Sequence, residues 1–209
     1  MIKALIFDIG GVLLLPKNNG KEKNLLNSFN ETLLLLGDFE VDTSSNMESL
    51  RDIYRKSSYG ALTKEETLRQ MSELLEVAPD NLEELFRKVY AENIFENEAL
   101  YEKLLGFKKK GYKLGILSTQ FHLSEDVLVP KKYYKDFDVL VISCDDKLKK
   151  PDEEAYTFTL KQLGVNAEES VFVDDQQKNV DVGKNLGMEA VLFQNNEQFF
   201  GELQELGIE

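Results

Sequence analysis

The feature that most limits the fold of this chain is a set of five short runs that are apolar almost throughout. Their residues are mainly aliphatic, do not alternate with polar positions, and end in a polar or small residue. Such continuous hydrophobicity is typical of strands buried on both faces, as in a parallel sheet covered by helices. The runs are 3–8 (KALIFD), 113–118 (KLGILS), 138–143 (DVLVIS), 170–175 (SVFVDD) and 189–193 (EAVLF).

Helical patterns separate these runs. The segment EALYEKLLGFKKK begins at Asn97 or Glu98, and it carries lysines in its last turn with Gly111 just beyond, as charge and capping both favour. Asp152 is a candidate N-cap for EEAYTFTLKQL, which ends at Gly164, as helices commonly do. Because strands and helices alternate, the sequence predicts an α/β fold with a doubly wound, Rossmann-like parallel sheet.

Residues 16–94 break that alternation, since they offer four helical patterns and no convincing strand. Thr63 and Glu66 have the spacing of a capping box, and Pro79 stands at a helix start, where proline is favoured. The patterns cover residues 21–37, 46–57, 63–77 and 79–93. We therefore predict an α/β core of residues 1–15 and 95–209, with a helical cap of residues 16–94 inserted after the first strand.

The charge balance restricts the partners of the chain. It has 38 acidic and 25 basic residues, a net charge of −13, which is the wrong sign for nucleic acid or for an anionic membrane surface. An anionic substrate would need a locally positive site or a bound cation. The chain has a single cysteine, Cys144, and a single histidine, His122, which makes a zinc site improbable. A single cysteine also forms no disulfide within the chain, which fits a reducing, cytoplasmic compartment. The apolar start is interrupted by Asp8 and resembles a buried strand more than a signal peptide.

Polar side chains occupy the strand ends that line the ligand crevice in open α/β sheets. Two carboxylates from separate strands can share Mg²⁺, which prefers oxygen ligands, and a lysine and a hydroxyl can hold phosphate oxygens. A carboxylate is then a usable nucleophile toward phosphorus. The residues concerned are Asp8, Ser118, Lys150, Asp174 and Asp175.

Each of these residues also has an ordinary structural interpretation. Asp8 alone would cap the following turn, Ser118 would begin a loop, and Lys150 would belong to a solvated KLKK face. The pair Asp174 and Asp175 would be a turn or an N-cap. Their joint occurrence at the ends of successive strand units favours a functional site.

These motifs, in this order, resemble the haloacid dehalogenase-like hydrolase superfamily over essentially the whole chain. The resemblance rests on FDIGGVL, LGILS, KKPDEEAY and VFVDDQQKNVDVGKNLG, with a helical cap of the C1 type inserted after the first. It implies a phosphatase-type hydrolase of the FDxGxV subgroup that uses Mg²⁺ and acts on a small phosphorylated metabolite, as a monomer or homodimer.

The resemblance also implies roles for individual residues. Asp8 would be the nucleophile and a Mg²⁺ ligand, the Gly10 carbonyl a second ligand, and Asp174 a third. Asn179 matches a position that helps to fix the acidic loop, although an ordinary first-turn helix residue would look the same. The phosphoryl group would be held by Ser118, Thr119 and Lys150, and Asp175 would support the metal from outside its ligand shell.

Gly10 departs from the pattern of many relatives, which carry a second aspartate there as general acid and base. General acid/base catalysis typically contributes about 10²–10⁴-fold, so we expect slower turnover and a preference for good leaving groups. His122 is a candidate substitute acid, although a loop histidine is more often a packing residue. The alternatives are a catalytically weak or inactive phosphate- or partner-binding relative and a 2-haloacid dehalogenase. A receiver-type signalling module and a phosphomutase rank below these.

Overall fold

The computed structural model describes residues 1–17 and 29–208. The strands are β1 (Ala4–Phe7), β2 (Leu14–Pro16), β3 (Ile94–Glu96), β4 (Lys113–Ser118), β5 (Val139–Ile142), β6 (Ser170–Asp174) and β7 (Glu189–Leu192). The helices are α1 (Phe29–Gly37), α2 (Met47–Ser58), α3 (Lys64–Leu75), α4 (Pro79–Asn93), α5 (Glu98–Lys109), α6 (His122–Leu128), α7 (Tyr133–Asp136), α8 (Ser143–Asp146), α9 (Glu153–Leu163), α10 (Gln177–Asn185) and α11 (Asn196–Glu205). Short 3₁₀ turns cover Ser44–Asn46 and Ala167–Glu169.

A parallel sheet with the strand order β5-β4-β1-β6-β7 forms the centre of the fold. All five apolar runs of the sequence lie in this sheet, which confirms the predicted doubly wound α/β architecture. Phe7 is in register with Ile116 of β4 on one side and with Val173 of β6 on the other. The carboxyl ends of these three strands therefore meet at one edge of the sheet, where the crevice of such folds lies.

The two faces of β1 contribute to two different hydrophobic clusters. Leu5 and Phe7 belong to the larger cluster, whereas Ala4 and Ile6 pack with Tyr156 on the other face. All five side chains are essentially inaccessible to solvent. A strand buried on both faces has no polar positions until it ends, which explains why Asp8 is the first charged residue after this run.

A two-stranded antiparallel ribbon joins the sheet to the helices between β2 and β3. In this ribbon Leu14 pairs with Glu96 and Pro16 with Ile94. The expectation that residues 16–94 contain no strand was therefore wrong at both ends of that segment. Strands this short leave no periodic pattern, and their pairing depends on residues far apart in the sequence.

Two helices between β2 and β3 begin where the sequence predicts. Thr63 and Glu66 form the capping box of α3, and Pro79 is the first residue of α4. The first predicted helical pattern is described only from Phe29 onward, because residues 21–28 lie outside the described residues. Within the described ranges, no helix is both long enough and apolar enough to cross a membrane.

Three helices between β2 and β3 pack against Phe121, which follows β4. Its ring lies 5.5 Å from that of Phe29, 5.1 Å from that of Tyr54 and 5.5 Å from that of Phe86, measured between centroids. Edge-on aromatic contacts at such distances add to the stability given by burial alone. The loop after β4 is therefore fixed between the sheet and the helices that lie between β2 and β3, directly beside the polar strand ends.

Candidate active site

Asp8 is the first residue after β1, and its backbone N–H donates to the Val173 carbonyl at 2.9 Å. Only 6% of the Asp8 residue is exposed to solvent. One carboxylate oxygen, Oδ1, accepts hydrogen bonds from the Ile9 backbone N–H at 2.7 Å and from the Ser118 hydroxyl at 2.8 Å. These contacts fix the orientation of the carboxylate and bring together two of the residues that the sequence singled out.

Lys150 links the two buried carboxylates that end β1 and β6. Its Nζ lies 2.8 Å from Asp8 Oδ2 and 2.6 Å from Asp174 Oδ2. Burial lowers the pKa of Lys150, but the charges of Asp174 and Asp8 and their hydrogen bonds outweigh burial and raise it. The ammonium is therefore permanently charged at neutral pH and held at the sheet edge.

Asp174 is oriented by the loop that follows it. Its Oδ1 accepts hydrogen bonds from the Gln176 backbone N–H at 2.8 Å and from Asn179 Nδ2 at 2.9 Å. Asn179 is itself buried, and its contact with Asp174 agrees with a role in fixing the acidic loop. The other oxygen, Oδ2, contacts Lys150.

The site carries more negative than positive charge. Carboxylate oxygens of Asp8, Asp174 and Asp175 all lie within 4.8 Å of one another, and Lys150 is the ammonium between the first two. Burial, opposed by Lys150 and reinforced by Asp174 and Asp175, raises the pKa of Asp8 to about 7. When all three carboxylates are ionised, they and the one ammonium carry two net negative charges. A bound divalent cation with oxygen ligands fits this donor set and favours its ionised form.

Gly11 allows the close approach of Asp175 to the loop after β1. Its φ is +76°, a left-handed conformation, and a Cβ at this position would lie 2.2 Å from Asp175 Oδ2. A side chain at residue 11 would therefore both strain the backbone and displace the carboxylate. The doubled glycine of FDIGG is the sequence signal of this role, which was not predicted.

A cavity of about 240 Å³ opens beside Asp8 and Lys150. Thr119 and Gly10, both expected in the site, line it. The Thr119 hydroxyl oxygen is buried and forms no hydrogen bond with the described part of the chain, so it is a donor suited to a ligand oxygen. The cavity is also lined by Tyr54, Gln120, Lys149, Gln176 and Lys178, none of which the sequence analysis identified.

Gln120 and Lys149 are two of these missed residues. Gln120 donates from Nε2 to the Ser118 hydroxyl at 3.0 Å, so it helps to orient the group that bonds to Asp8. Lys149 lies with its Nζ 4.4 Å from the ring centroid of Tyr59. Burial first, and then the charges of Lys178 and Arg55, lower the pKa of Lys149, while Asp152 opposes them.

His122 does not line this cavity. Its Nε2 lies 3.0 Å from the Leu62 carbonyl oxygen, and its Nδ1 lies 4.0 Å from Asp145 Oδ1. Both ring nitrogens therefore face groups away from Asp8. A general acid must reach the reacting atoms. The hypothesis that His122 replaces the missing acid is therefore wrong for the position that its ring takes in this structure.

The model of a hydrolase family, haloacid dehalogenase-like hydrolase, matches residues 2–187. A D-ribitol-5-phosphate phosphatase from Bacteroides thetaiotaomicron is 26% identical over 215 residues, which cover 97% of this chain and 97% of the relative. Pyrophosphatase PpaX from Bacillus velezensis is 35% identical over 97 residues, covering 46% of this chain and 45% of the relative. Several other curated relatives are likewise matched over less than half of their length.

A similar fold occurs in a HAD family enzyme from Bacteroides thetaiotaomicron, solved in complex with magnesium and inorganic phosphate. It is 18% identical, has a TM-score of 0.75, and the match covers 96% of this chain and 100% of that structure. At this identity the likeness supports the fold.

Proposed function

Because the chain belongs to the haloacid dehalogenase-like hydrolases, we propose that it is a Mg²⁺-dependent phosphatase that transfers the phosphoryl group of a small phosphate ester to Asp8. The observation that carries this proposal is the group of Asp8, Lys150 and Asp174 at one edge of the sheet, beside a cavity. The full-length relative named D-ribitol-5-phosphate phosphatase supports the same reaction class.

The proposed metal ligands are the Asp8 and Asp174 carboxylates and the Gly10 carbonyl. Asp175 lies against Gly11. It would not be a ligand itself and would support the metal from outside its ligand shell. The excess negative charge around Lys150 fits a divalent cation. When bound, Mg²⁺ would neutralise phosphoryl oxygens and allow an anionic carboxylate to approach phosphorus.

The proposed reaction has two steps. A carboxylate oxygen of Asp8 forms a bond to phosphorus while the bond from phosphorus to the leaving oxygen breaks, and water then hydrolyses the aspartyl phosphate to release inorganic phosphate. The Ile9 N–H and the Ser118 hydroxyl hold the Asp8 carboxylate in one orientation. Thr119 would hold a phosphoryl oxygen by a hydrogen bond and Lys150 by charge. Ser118 would join them when its single hydroxyl proton turns from Asp8 to the bound phosphoryl group.

Gly10 offers no side chain to protonate the leaving oxygen. We therefore expect aryl, acyl and anomeric sugar phosphates, whose leaving groups need little protonation, to react faster than alkyl phosphates. The expected difference is about 10²–10⁴-fold, the usual contribution of a general acid.

The helices between β2 and β3 fit the proposed cap of residues 16–94. Tyr54 of α2 lines the cavity together with core residues, so the cap would cover a bound substrate and exclude water. A cavity of about 240 Å³ suits a small phosphorylated metabolite. The proposed core comprises residues 1–15 and 95–209.

A screen of phosphate release tests the proposed function. The native chain would be assayed with p-nitrophenyl phosphate, anomeric sugar phosphates and polyol phosphates such as D-ribitol 5-phosphate, with Mg²⁺ and with a chelator. We expect release that requires Mg²⁺ and is fastest for the best leaving groups. Tight binding of inorganic phosphate without turnover would instead favour the second candidate, a phosphate-binding relative, which the missing acid at Gly10 supports.

Replacement of Gly11 by alanine is expected to lower kcat about 100-fold. The added Cβ would meet Asp175 Oδ2 at 2.2 Å, and a displacement of about 1 Å beside the reacting atoms can cost a factor of this size. Gly207→Ala is the matched control, because Gly207 has φ +72° and no atom within 4 Å of the added Cβ. Equal losses of kcat in the two variants would show that general destabilisation by an alanine at positive φ, and not contact with Asp175, is responsible.

Lys178→Ala is expected to raise KM about 3- to 10-fold at low salt and to leave kcat nearly unchanged. Lys178 lines the cavity and is exposed, so its charge would attract the substrate dianion without contacting the reacting atoms. Lys184→Ala on the same helix is the control, since Lys184 is also exposed and is not among the cavity-lining residues. Steady-state kinetics at two salt concentrations would check the result, and an unchanged KM would contradict it.

A further inference from the structure

A second group of metal-binding side chains lies outside the cavity, where α6 meets α8. It consists of His122 and Glu125 from α6 and Cys144 and Asp145 from α8, and one ligand atom from each lies within 4.8 Å of all the others. Cys144 is buried, His122 and Glu125 are partly buried, and Asp145 is exposed. The group is therefore reachable from solvent on the side of Asp145.

The separations within this group are near those of a tetrahedral site. His122 Nδ1 lies 4.0 Å from Asp145 Oδ1, and Cys144 Sγ lies 3.8 Å from Glu125 Oε2. Ligands at about 2.0–2.3 Å from a tetrahedral Zn²⁺ ion lie about 3.3–3.8 Å from one another. These two pairs need shifts of a few tenths of an ångström to reach that geometry. The other pairs, all within 4.8 Å, need side-chain shifts of at most on the order of 1 Å.

The ring of His122 is oriented by a contact outside the group. Its Nε2 lies 3.0 Å from the Leu62 carbonyl oxygen, and because a carbonyl only accepts, Nε2 carries the proton. The lone pair of Nδ1 then faces Asp145 at 4.0 Å, too far for a hydrogen bond. Metal-binding histidines commonly donate their other ring N–H to a backbone carbonyl in this way.

Glu125 is oriented in a comparable way. Its Oε1 lies 3.4 Å from the Tyr134 hydroxyl, which can donate to it, while Oε2 faces Cys144. Burial and the neighbouring charge of Asp145 raise the pKa of Glu125 to about 7. Burial and the charge of Glu125 also raise the pKa of the Cys144 thiol well above its usual range. A bound cation would reverse these effects, because it favours the charged forms of its ligands.

We propose that His122, Glu125, Cys144 and Asp145 form a binding site for a divalent transition-metal ion of the Zn²⁺ class, separate from the Mg²⁺ site at Asp8. A thiolate and an imidazole suit Zn²⁺ and not Mg²⁺. On binding, the thiol proton of Cys144 and any proton held by Glu125 pass to solvent. With one cysteine and one histidine in the chain, the sequence indicated that a zinc site is improbable. The number of such residues does not show that these two meet beside two carboxylates.

This site is in contact with the last turn of α2 and with the loop that follows it. The His122 backbone N–H donates to Ser57 Oγ at 3.2 Å, and a Cβ on Gly60 would lie 2.5 Å from the Cys144 carbonyl oxygen. A metal ion bound by His122 and Cys144 would thus stiffen the contact between this loop and the core, and it should raise the melting temperature by mass action.

Cobalt titration of the full-length chain tests the proposal independently of catalysis. Mg²⁺ in excess would occupy the carboxylates around Asp8, and Co²⁺ would then be added in the presence of a phosphine reductant that contains no thiol. Because Cys144 is the single cysteine in the sequence, a thiolate-to-cobalt charge-transfer band can arise only from this site. We expect one Co²⁺ per chain with that band, displacement by Zn²⁺, and a higher melting temperature with Zn²⁺.

Variants of the ligands and of a neighbour complete the test. Cys144→Ser should abolish the band, and His122→Gln and the exposed Asp145→Asn should each weaken Co²⁺ binding at least about tenfold. Asp126→Asn is the matched control, since Asp126 follows Glu125 but pairs with Lys64, and its affinity for Co²⁺ should be unchanged. Absence of the band in the folded native chain, or unchanged affinity in both His122→Gln and Asp145→Asn, would overturn the proposal.

Discussion

Asp8→Asn is expected to lower the rate of phosphate release at least about 1,000-fold, because an amide cannot act as the nucleophile toward phosphorus. The substitution keeps the shape of the side chain, and the new amide oxygen can still accept from Ile9 and Ser118, as Oδ1 of Asp8 does now. The loss should therefore appear in kcat, measured with p-nitrophenyl phosphate at saturating Mg²⁺.

The stability of the same variant provides its control. The pKa of Asp8 is raised to about 7 in the folded chain, first by burial, so the neutral carboxyl is favoured in the folded state. Its contribution to stability is complete below the unfolded pKa and is lost as the pH rises through about 7. Asparagine resembles the neutral form, so at pH 8 without Mg²⁺ the variant should melt no earlier than the native chain. Early melting would mean that the lost activity reflects misfolding.

Lys150→Met is expected to lower kcat about 100- to 1,000-fold and also to destabilise the fold. Methionine fills a similar volume but leaves Asp8 and Asp174 without the ammonium that contacts both of them at 2.6–2.8 Å. Removal of one partner from a buried ion pair typically costs about 3–5 kcal/mol, and loss of one donor to the transferring group costs about 10²–10³ in rate. Urea unfolding without Mg²⁺ measures the first effect and steady-state kinetics the second.

The triple variant Asp8→Asn, Asp174→Asn, Lys150→Met separates the two effects. Because it also removes the two buried carboxylate charges, it should recover most of the stability that Lys150→Met loses while remaining inactive. An activity of Lys150→Met close to that of the native chain would contradict the role of this residue in holding the phosphoryl group.

The sheet, and the meeting of Asp8, Ser118 and Asp174 at its edge, were predictable because their signals are local. A buried parallel strand is apolar until it ends, so the charged residue that closes it stands out, as Asp8 and Asp174 do. In a parallel sheet with aligned registers, strand ends must meet at one edge. That geometry accounts for the meeting of Asp8, Ser118 and Asp174. It does not account for the contact of Lys150 with both carboxylates, because Lys150 lies beyond the end of β5, in the loop between α8 and α9.

The features that were missed depend on contacts between distant residues. The ribbon that pairs Leu14 with Glu96 is too short to leave a periodic pattern. Gln120 bonds to Ser118 but has the appearance of an ordinary loop residue. The ring of His122 follows β4 as expected, yet its contact with Leu62 turns it away from the cavity, and no local pattern encodes that contact.

Covalent trapping on Asp8 tests the central claim most directly. Since Gly10 supplies no general base for the second step, the aspartyl phosphate should accumulate when the first step has a good leaving group. The native chain would be mixed with p-nitrophenyl phosphate and Mg²⁺, quenched in acid within milliseconds, digested and analysed by mass spectrometry. We predict a rapid burst of p-nitrophenol and one phosphoryl group on the peptide that contains Asp8, with both absent in Asp8→Asn. Sustained p-nitrophenol release without any label on that peptide, or no release from the folded native chain, would contradict the account.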